Sequence, residues 1–278
     1  MRGKLLLHVA LLPRFILIPP VKSFSSRTMA SHQKIICLFD VDGTLTAPRK
    51  VITKEMETFL FEKVKSKCDI GLVGGSDLSK IAEQTGGPKI VNKCNFLFAE
   101  NGLVAYKNGN QVGCESIQHY VGEEKLQRFI NFSLRYMSEI ELPVKRGTFI
   151  EFRNGLINVC PVGRSCSQAE RDQFAEYDAV HNIRKKFVEA LRAQFSDLGL
   201  AYSIGGQISF DVFPEGWDKT YCLKYIVPEK YDEIHFFGDK TDAGGNDHEI
   251  YNHEKVIGHK VTSPDDTKNQ LSELFNIV

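Results

Sequence analysis

Ile35-Ile36-Cys37-Leu38-Phe39-Asp40-Val41-Asp42-Gly43-Thr44 is the stretch on which the fold turns. Its first five residues are apolar and too short for a convincing helix, so they read as a buried strand. Two aspartates follow where that strand runs out, and Gly43 lets the backbone turn tightly. Carboxylates just past the carboxyl end of a strand stand where open α/β sheets bind ligands. Two such charges side by side are costly unless a cation or a shared proton relieves them. Mg²⁺, a hard cation that takes oxygen ligands, fits that need. A plain turn would use the same residue types. A calcium loop of the EF-hand kind does not fit, because it needs glycine at its sixth position and Gly43 is fourth from Asp40.

Downstream, strand and helix patterns alternate. Thr53 reads as an N-cap, with Met56, Phe59, Leu60 and Val64 on one helix face. A strand over 69–73 ends in Gly74-Gly75-Ser76-Asp77, and such a turn before a helix offers N–H groups and the Ser76 hydroxyl to an anion. A strand over 95–99 follows, and Asn108-Gly109 signals a hairpin. The expected class is α/β, a Rossmann-like, mostly parallel sheet. After Ser116 the pattern changes to hairpins with helices, an α+β domain inserted as a cap over 116–214. The core then comprises 30–115 and 215–278, with a helix over 217–226, a strand over 231–237 and a closing helix over 265–275.

Strand ends collect further carboxylates. Gly238-Asp239 closes the 231–237 strand, and Asp247 follows in Gly244-Gly245-Asn246-Asp247. Asp40, Asp42, Asp239 and Asp247 are the candidate metal set. With Ser76, and with Lys219 shortly before the Asp239 strand, these residues resemble, in order, the four motifs of the haloacid dehalogenase-like phosphotransferases. That resemblance implies Asp40 as the phosphorylated nucleophile, Asp42 as general acid/base, Ser76 as a phosphate contact and Lys219 as the phosphate-stabilising lysine.

The insert carries Thr148-Phe149-Ile150-Glu151-Phe152-Arg153-Asn154-Gly155, Gly163-Arg164-Ser165, Glu170-Arg171 and a strand from Gln207 to Phe213. If its three arginines converge they make a bidentate phosphate clamp; otherwise they are surface charge. Ser209 and Asp211, two apart on a strand, face one side and could bond sugar hydroxyls. From about Lys34 onward these motifs, with Glu100-Asn101-Gly102 and Gly216-Trp217-Asp218-Lys219, closely resemble the eukaryotic phosphomannomutase family. The resemblance implies interconversion of mannose 6-phosphate and mannose 1-phosphate, supplying GDP-mannose synthesis. It also implies Mg²⁺, a hexose 1,6-bisphosphate activator and a homodimer joined through the caps. By the same resemblance Arg49, Arg153, Arg164, Arg171, Ser209 and Asp211 contact substrate. Asp40, Asp239 and the backbone carbonyl of Asp42 then hold the metal. His253 stands where the family can carry an aspartate for a second, structural cation, and imidazole suits a hard cation poorly. A sugar-phosphate phosphatase on the same fold, or a binding protein that keeps it, are the alternative readings.

Composition bounds the rest. The 278 residues suit one or two domains, and the formal net charge of zero gives no global basic field for nucleic acid. Seven cysteines without a C-x-x-C pair point to free thiols in a reducing compartment, hence a cytoplasmic enzyme. Residues 1–29 are expected to be a disordered or targeting extension. The first 28 lack acidic residues and carry five basic ones, and their apolar run is too short to span a bilayer. An upstream start with Met29 as the functional one is the other reading of that segment.

Overall fold

A computed structural model describes residues 33–48 and 50–277. The expected extension over 1–29 lies outside the described residues up to its end. Two sheets organise the chain. The first has seven strands in the order β11-β10-β1-β2-β3-β4-β5: β1 (Ile35–Phe39), β2 (Asp69–Val73), β3 (Phe96–Ala99), β4 (Val104–Lys107), β5 (Asn110–Cys114), β10 (Glu233–Gly238) and β11 (Ile257–Lys260). Strands β11, β10, β1, β2 and β3 run parallel, and β4 and β5 add an antiparallel edge. The β4–β5 turn is Asn108-Gly109, both at positive φ (49° and 81°), as a tight hairpin matching the sheet twist requires.

Why β1 is central follows from its residues. Cys37 and Phe39 bury on one face with Ile70, Leu72 and Phe237 under Met56, Leu60 and Leu271. Ile36 and Leu38 bury on the other face with Phe236, Leu223, Ile226 and Ile250. A strand buried on both faces must be apolar throughout, which is why it reads as a continuous run. Each fully buried Leu, Ile or Phe contributes roughly 1.5–3 kcal/mol relative to exposure. The chain leaves β1 for β2 on one side and returns to β10 on the other, so its carboxyl end is a switch point of the sheet.

Two local expectations need correction. The helix capped by Thr53 runs only over Lys54–Thr58, then widens to a π turn at Phe59–Lys63 and tightens at Val64–Ser66. The helix expected from Trp217 instead starts as a 3-10 turn at Lys219–Cys222 and becomes α-helical at Leu223–Ile226. Asp218 sets that start. Its carboxylate accepts from the Thr220 N–H at 2.8 Å and the Thr220 hydroxyl at 2.6 Å, so Trp217 and Asp218 stay outside the helix.

The second sheet is antiparallel, in the order β6-β7-β9-β8: β6 (Ile150–Phe152), β7 (Ile157–Val159), β8 (Leu200–Gly205) and β9 (Ser209–Pro214). Helices Glu123–Glu139 and Ile183–Gln194 pack on one face through Phe129, Met137, Phe187 and Leu191 against Ile157, Val159, Phe210 and Val212. Along β9 burial alternates, with Phe210 and Val212 buried and Ser209 and Asp211 half-buried. The polar pair is thus turned away from the helices. Among the described residues no helix is long and apolar enough to cross a membrane.

At the β10–β11 edge, the buried His235 meets Nε2 of His259 through Nδ1 and Glu233 through Nε2, both at 2.9 Å. His259 stacks on Phe237 with ring centroids 4.3 Å apart. Burial, then the neighbouring His235, pulls the His259 imidazole down to about 4 from its ordinary 6.5. The unfolded chain therefore binds that proton more readily. The stability from neutral His259 is complete above about 6.5 and drains away as pH falls toward about 4. Thermal unfolding across that range is expected to show a steeper acid loss for the parent than for His259→Phe. Equal slopes would count against this role.

Candidate active site

The register of β1 and β10 builds the site. Phe39 pairs with Phe237 and the Asp40 N–H donates to the Phe237 carbonyl at 2.9 Å, so the residues after both strands emerge together. Gly43, at φ +95°, completes the meeting: a Cβ there would lie 2.5 Å from Asp239 Oδ2. Gly238 does the same for Asp247, whose Oδ2 would lie 2.6 Å from a Cβ. Only glycines let these carboxylates close in. Ligand oxygens of Asp40, Asp239 and Asp247 all lie within 4.8 Å of one another.

Lys219 is the counter-charge. It is 0% exposed and bonds both Asp40 Oδ1 and Asp247 Oδ1. Burial alone would pull its ammonium down, yet the two carboxylates overcome this and hold it above its ordinary value. Burial pushes the Asp40 carboxyl up to about 6, with Lys219 pulling against it and Asp247 and Asp239 adding to the rise. Asp239 is also raised, chiefly by burial. Three carboxylates and one ammonium leave a surplus of negative charge, which a buried site tolerates only with a further cation or proton.

The donor set fits a divalent metal. Asp239 Oδ1 is buried without a hydrogen-bond partner, the state of an oxygen that a hard cation would use. Asp247 is differently placed. Its oxygens already accept from Lys219 and, at 3.0 Å, from the Lys240 N–H. Among the described residues this is the one cluster of three or more potential metal-ligating side chains.

Asp42 points to another wall of the same cleft, where Gln84 Nε2 donates to its Oδ1 at 3.0 Å. Gln84 is buried at the end of helix Leu78–Gln84, and its carbonyl accepts from the Ile52 N–H. Asp77, not Ser76, caps that helix by accepting from the Lys80 N–H, which leaves Ser76 exposed at the rim. The cleft, about 260 Å³, is lined by Asp40, Asp42, Gly74, Gly75, Ser76, Gln84, Lys240 and Asn246 among others. Gln84, Lys240 and Asn246 had no sequence signal beyond their nearness to motifs. A tripeptide supports the cleft from behind. Glu100, Asn101 and Gly102 all adopt positive φ (50°, 62° and 108°). The Glu100 and Asn101 N–H groups donate to Ser76 O and Gly74 O respectively, and Asn101 Nδ2 donates to Trp217 O at 3.2 Å.

The second cluster lies on the second sheet. Arg164 Nε meets Glu151 Oε2 at 2.6 Å, and its Nη1 donates to Asn158 Oδ1 at 2.7 Å. Arg153 donates to the same Glu151, and Arg171 donates to the Arg164 carbonyl at 3.1 Å. The buried Asn158 donates to Ser209 Oγ at 3.1 Å and Asp211 Oδ1 at 2.7 Å. Arg153, Arg164, Arg171, Ser209 and Asp211 are thus one connected group, while Arg49 lies outside the described residues. Glu151 and Asn158 were missed; the alternation Glu151-Phe152-Arg153 was the available signal for the first.

Comparison with known proteins agrees with this architecture. Residues 56–277 match the model of a family described as eukaryotic phosphomannomutase. The chain is 59% identical over 246 residues to a phosphomannomutase of Glycine max, covering 88% of this chain and 98% of that one. It is 56% identical over 247 residues to a phosphomannomutase of Drosophila melanogaster, covering 88% and 97%. Among solved structures, a trehalose-6-phosphate phosphatase of Aspergillus fumigatus superposes with TM-score 0.56 at 16% identity, covering 88% of this chain and 93% of that one. An IMP-nucleotidase of Plasmodium falciparum gives TM-score 0.56 at 16% identity, covering 88% and 69%. At that identity the structural likeness speaks for the fold alone.

Proposed function

The chain belongs to the eukaryotic phosphomannomutase family, and from that premise we propose that it interconverts mannose 6-phosphate and mannose 1-phosphate by way of a phosphorylated Asp40. The observation that carries this reading is the Asp40–Lys219–Asp247 arrangement, with Asp239 closing on Gly43. Asp40 is the one cluster carboxylate at the end of the central strand, lining the cleft and paired to a buried cation.

In the proposed cycle a sugar monophosphate presents its free hydroxyl to phospho-Asp40. Asp42 takes that hydroxyl's proton as the oxygen attacks phosphorus, which frees Asp40 and yields the hexose 1,6-bisphosphate. The bisphosphate turns end for end. Asp40 then attacks the other phosphorus, and Asp42 returns its proton to the leaving sugar oxygen. Gln84 holds the Asp42 carboxylate in place through both transfers. Lys219 neutralises charge on the phosphoryl oxygens in flight, and the Ser76 hydroxyl donates a hydrogen bond to them. Asp40, Asp239 and the Asp42 carbonyl would hold Mg²⁺, with Asp247 adding charge, and the metal would supply further neutralisation of the transferring group.

Residues 116–214 act in this reading as a cap. Arg153, Arg164 and Arg171 grip the phosphate that is not reacting, while Ser209 and Asp211 bond sugar hydroxyls. Closure over the cleft would keep water from phospho-Asp40. The cap arginine cluster is what favours a mutase over a phosphatase, since only the mutase needs a strong second phosphate site. A cytoplasmic homodimer joined through the cap completes the proposal. Sedimentation as a monomer would count against the homodimer.

One assay separates the alternatives. Mg²⁺ and mannose 1-phosphate are supplied with and without glucose 1,6-bisphosphate. Bisphosphate-dependent mannose 6-phosphate is expected. Free phosphate as the main product would establish a phosphatase, and no turnover at all a binding protein.

A further inference from the structure

One charge in the second sheet has no part in the proposed cycle. Glu151 is in register with Asn158, and Asn158 with Asp211, so the three form a row across β6, β7 and β9. Arg164 reaches along that row, with Nε at 2.6 Å from Glu151 Oε2 and Nη1 on Asn158 Oδ1. Arg153 donates to both oxygens of Glu151, Nε to Oε1 at 3.3 Å and Nη2 to Oε2 at 3.2 Å. A single carboxylate therefore sits on two guanidinium groups, where phosphate oxygens would otherwise sit.

Its energetics are those of a replaceable partner. The side chains of Glu151, Arg153 and Arg164 are 37%, 41% and 33% exposed. Ion pairs that open add little to folding stability, so Glu151 is not what holds this sheet together. Asn158 is the contrast: neutral, buried, and bonded at both ends of its amide, it is a fixed post. A clamp for a bisphosphate that must turn around has two needs. It must hold a phosphate on its guanidinium groups, and it must release it, which a nearby carboxylate able to take the same donors assists.

The geometry points to Glu151 as a resident competitor of the cap anion site. Its carboxylate holds Arg153 and Arg164 until a phosphate displaces it, reclaims them when the phosphate leaves, and so sets the affinity for the non-reacting phosphate. This rests on the reading of Arg153 and Arg164 as a phosphate clamp.

Titration calorimetry on the full chain tests it, with mannose 1-phosphate and inorganic phosphate as separate probes. Glu151→Gln keeps the size and removes the charge. Its Kd for mannose 1-phosphate is expected to tighten about three- to tenfold, the range that two exposed ion pairs can set, with KM falling in parallel. Glu151→Asp, which keeps the charge, is expected to stay nearer the parent than Glu151→Gln. Arg164→Ala is the control and should weaken binding. If Arg164→Ala binds mannose 1-phosphate like the parent, the clamp reading fails and this role fails with it. If Arg164→Ala weakens binding while Glu151→Gln is unchanged or also weaker, the clamp stands. Glu151 is then an orienting partner of the arginines, and its competitor role is overturned.

Discussion

Asp40→Asn is expected to lower turnover by at least about 10⁴-fold, as loss of a covalent nucleophile does in other enzymes, while the fold survives. Both halves follow from where Asp40 sits. It follows the strand at the switch point of the sheet, with its backbone N–H bonded to Phe237 O and its carboxylate on Lys219. Asparagine keeps the backbone bond and an amide oxygen for Lys219, so little packing is disturbed. The amide cannot accept a phosphoryl group, so no step of the proposed cycle can begin. The test pairs a mutase assay with circular dichroism and thermal unfolding of the same preparation. Substantial turnover in a folded Asp40→Asn chain would refute the nucleophile assignment. A chain that fails to fold would show that Asp40 is needed for structure first.

Lys219→Met should be the most destabilising single change in the site. Lys219 is 0% exposed and lies between two buried carboxylates. Methionine fills similar volume but leaves Asp40 and Asp247 without their shared cation. Breaking a buried pair by removing one partner costs about 3–5 kcal/mol, against a whole-domain stability of about 5–15 kcal/mol. Urea unfolding at neutral pH without divalent metal is the measurement, and a midpoint equal to the parent's would refute the counter-charge role. Relief should come with acid. A carboxyl raised to about 6 from its ordinary 3.8 binds its proton more tightly in the folded chain. In the parent that stabilising share is present at low pH and lost as pH rises through about 6; without Lys219, which pulls this carboxyl down, the variant loses it only at higher pH. The variant's deficit should shrink as pH is lowered toward 5, and turnover should be lost throughout.

These two residues show what a linear sequence reveals and what it hides. The β1 strand is legible because burial on both faces demands an uninterrupted apolar run, and aspartates after a buried strand are conspicuous. Gly238-Asp239 is legible for the same reason. Lys219 is not. Any lysine on a short helical turn reads as a solvated charge, and only packing 179 residues away, against Asp40, takes it out of water. Asn158 is hidden for another reason: its bonds to Ser209 and Asp211 depend on the β7–β9 register, which sequence distance does not give. The 3-10 start at Lys219 and the π turn at Phe59–Lys63 escape because an apolar period near 3.6 does not resolve one turn geometry from the next. Gln84 reads as one more polar residue at the end of a helix until the fold turns it on Asp42.

The tripeptide Glu100-Asn101-Gly102 carries a consequence of its own. Two successive non-glycine residues at positive φ cost of order 1–3 kcal/mol each, and hydrogen bonds to Gly74, Ser76 and Trp217 hold them there. The Gly74–Ser76 loop and the segment leading into Lys219 therefore hang from a single bracket, although more than a hundred residues part them along the chain. The gauge of the site, meaning how far its rim stands from its buried ammonium, is set by a piece of backbone that does not itself line the cleft.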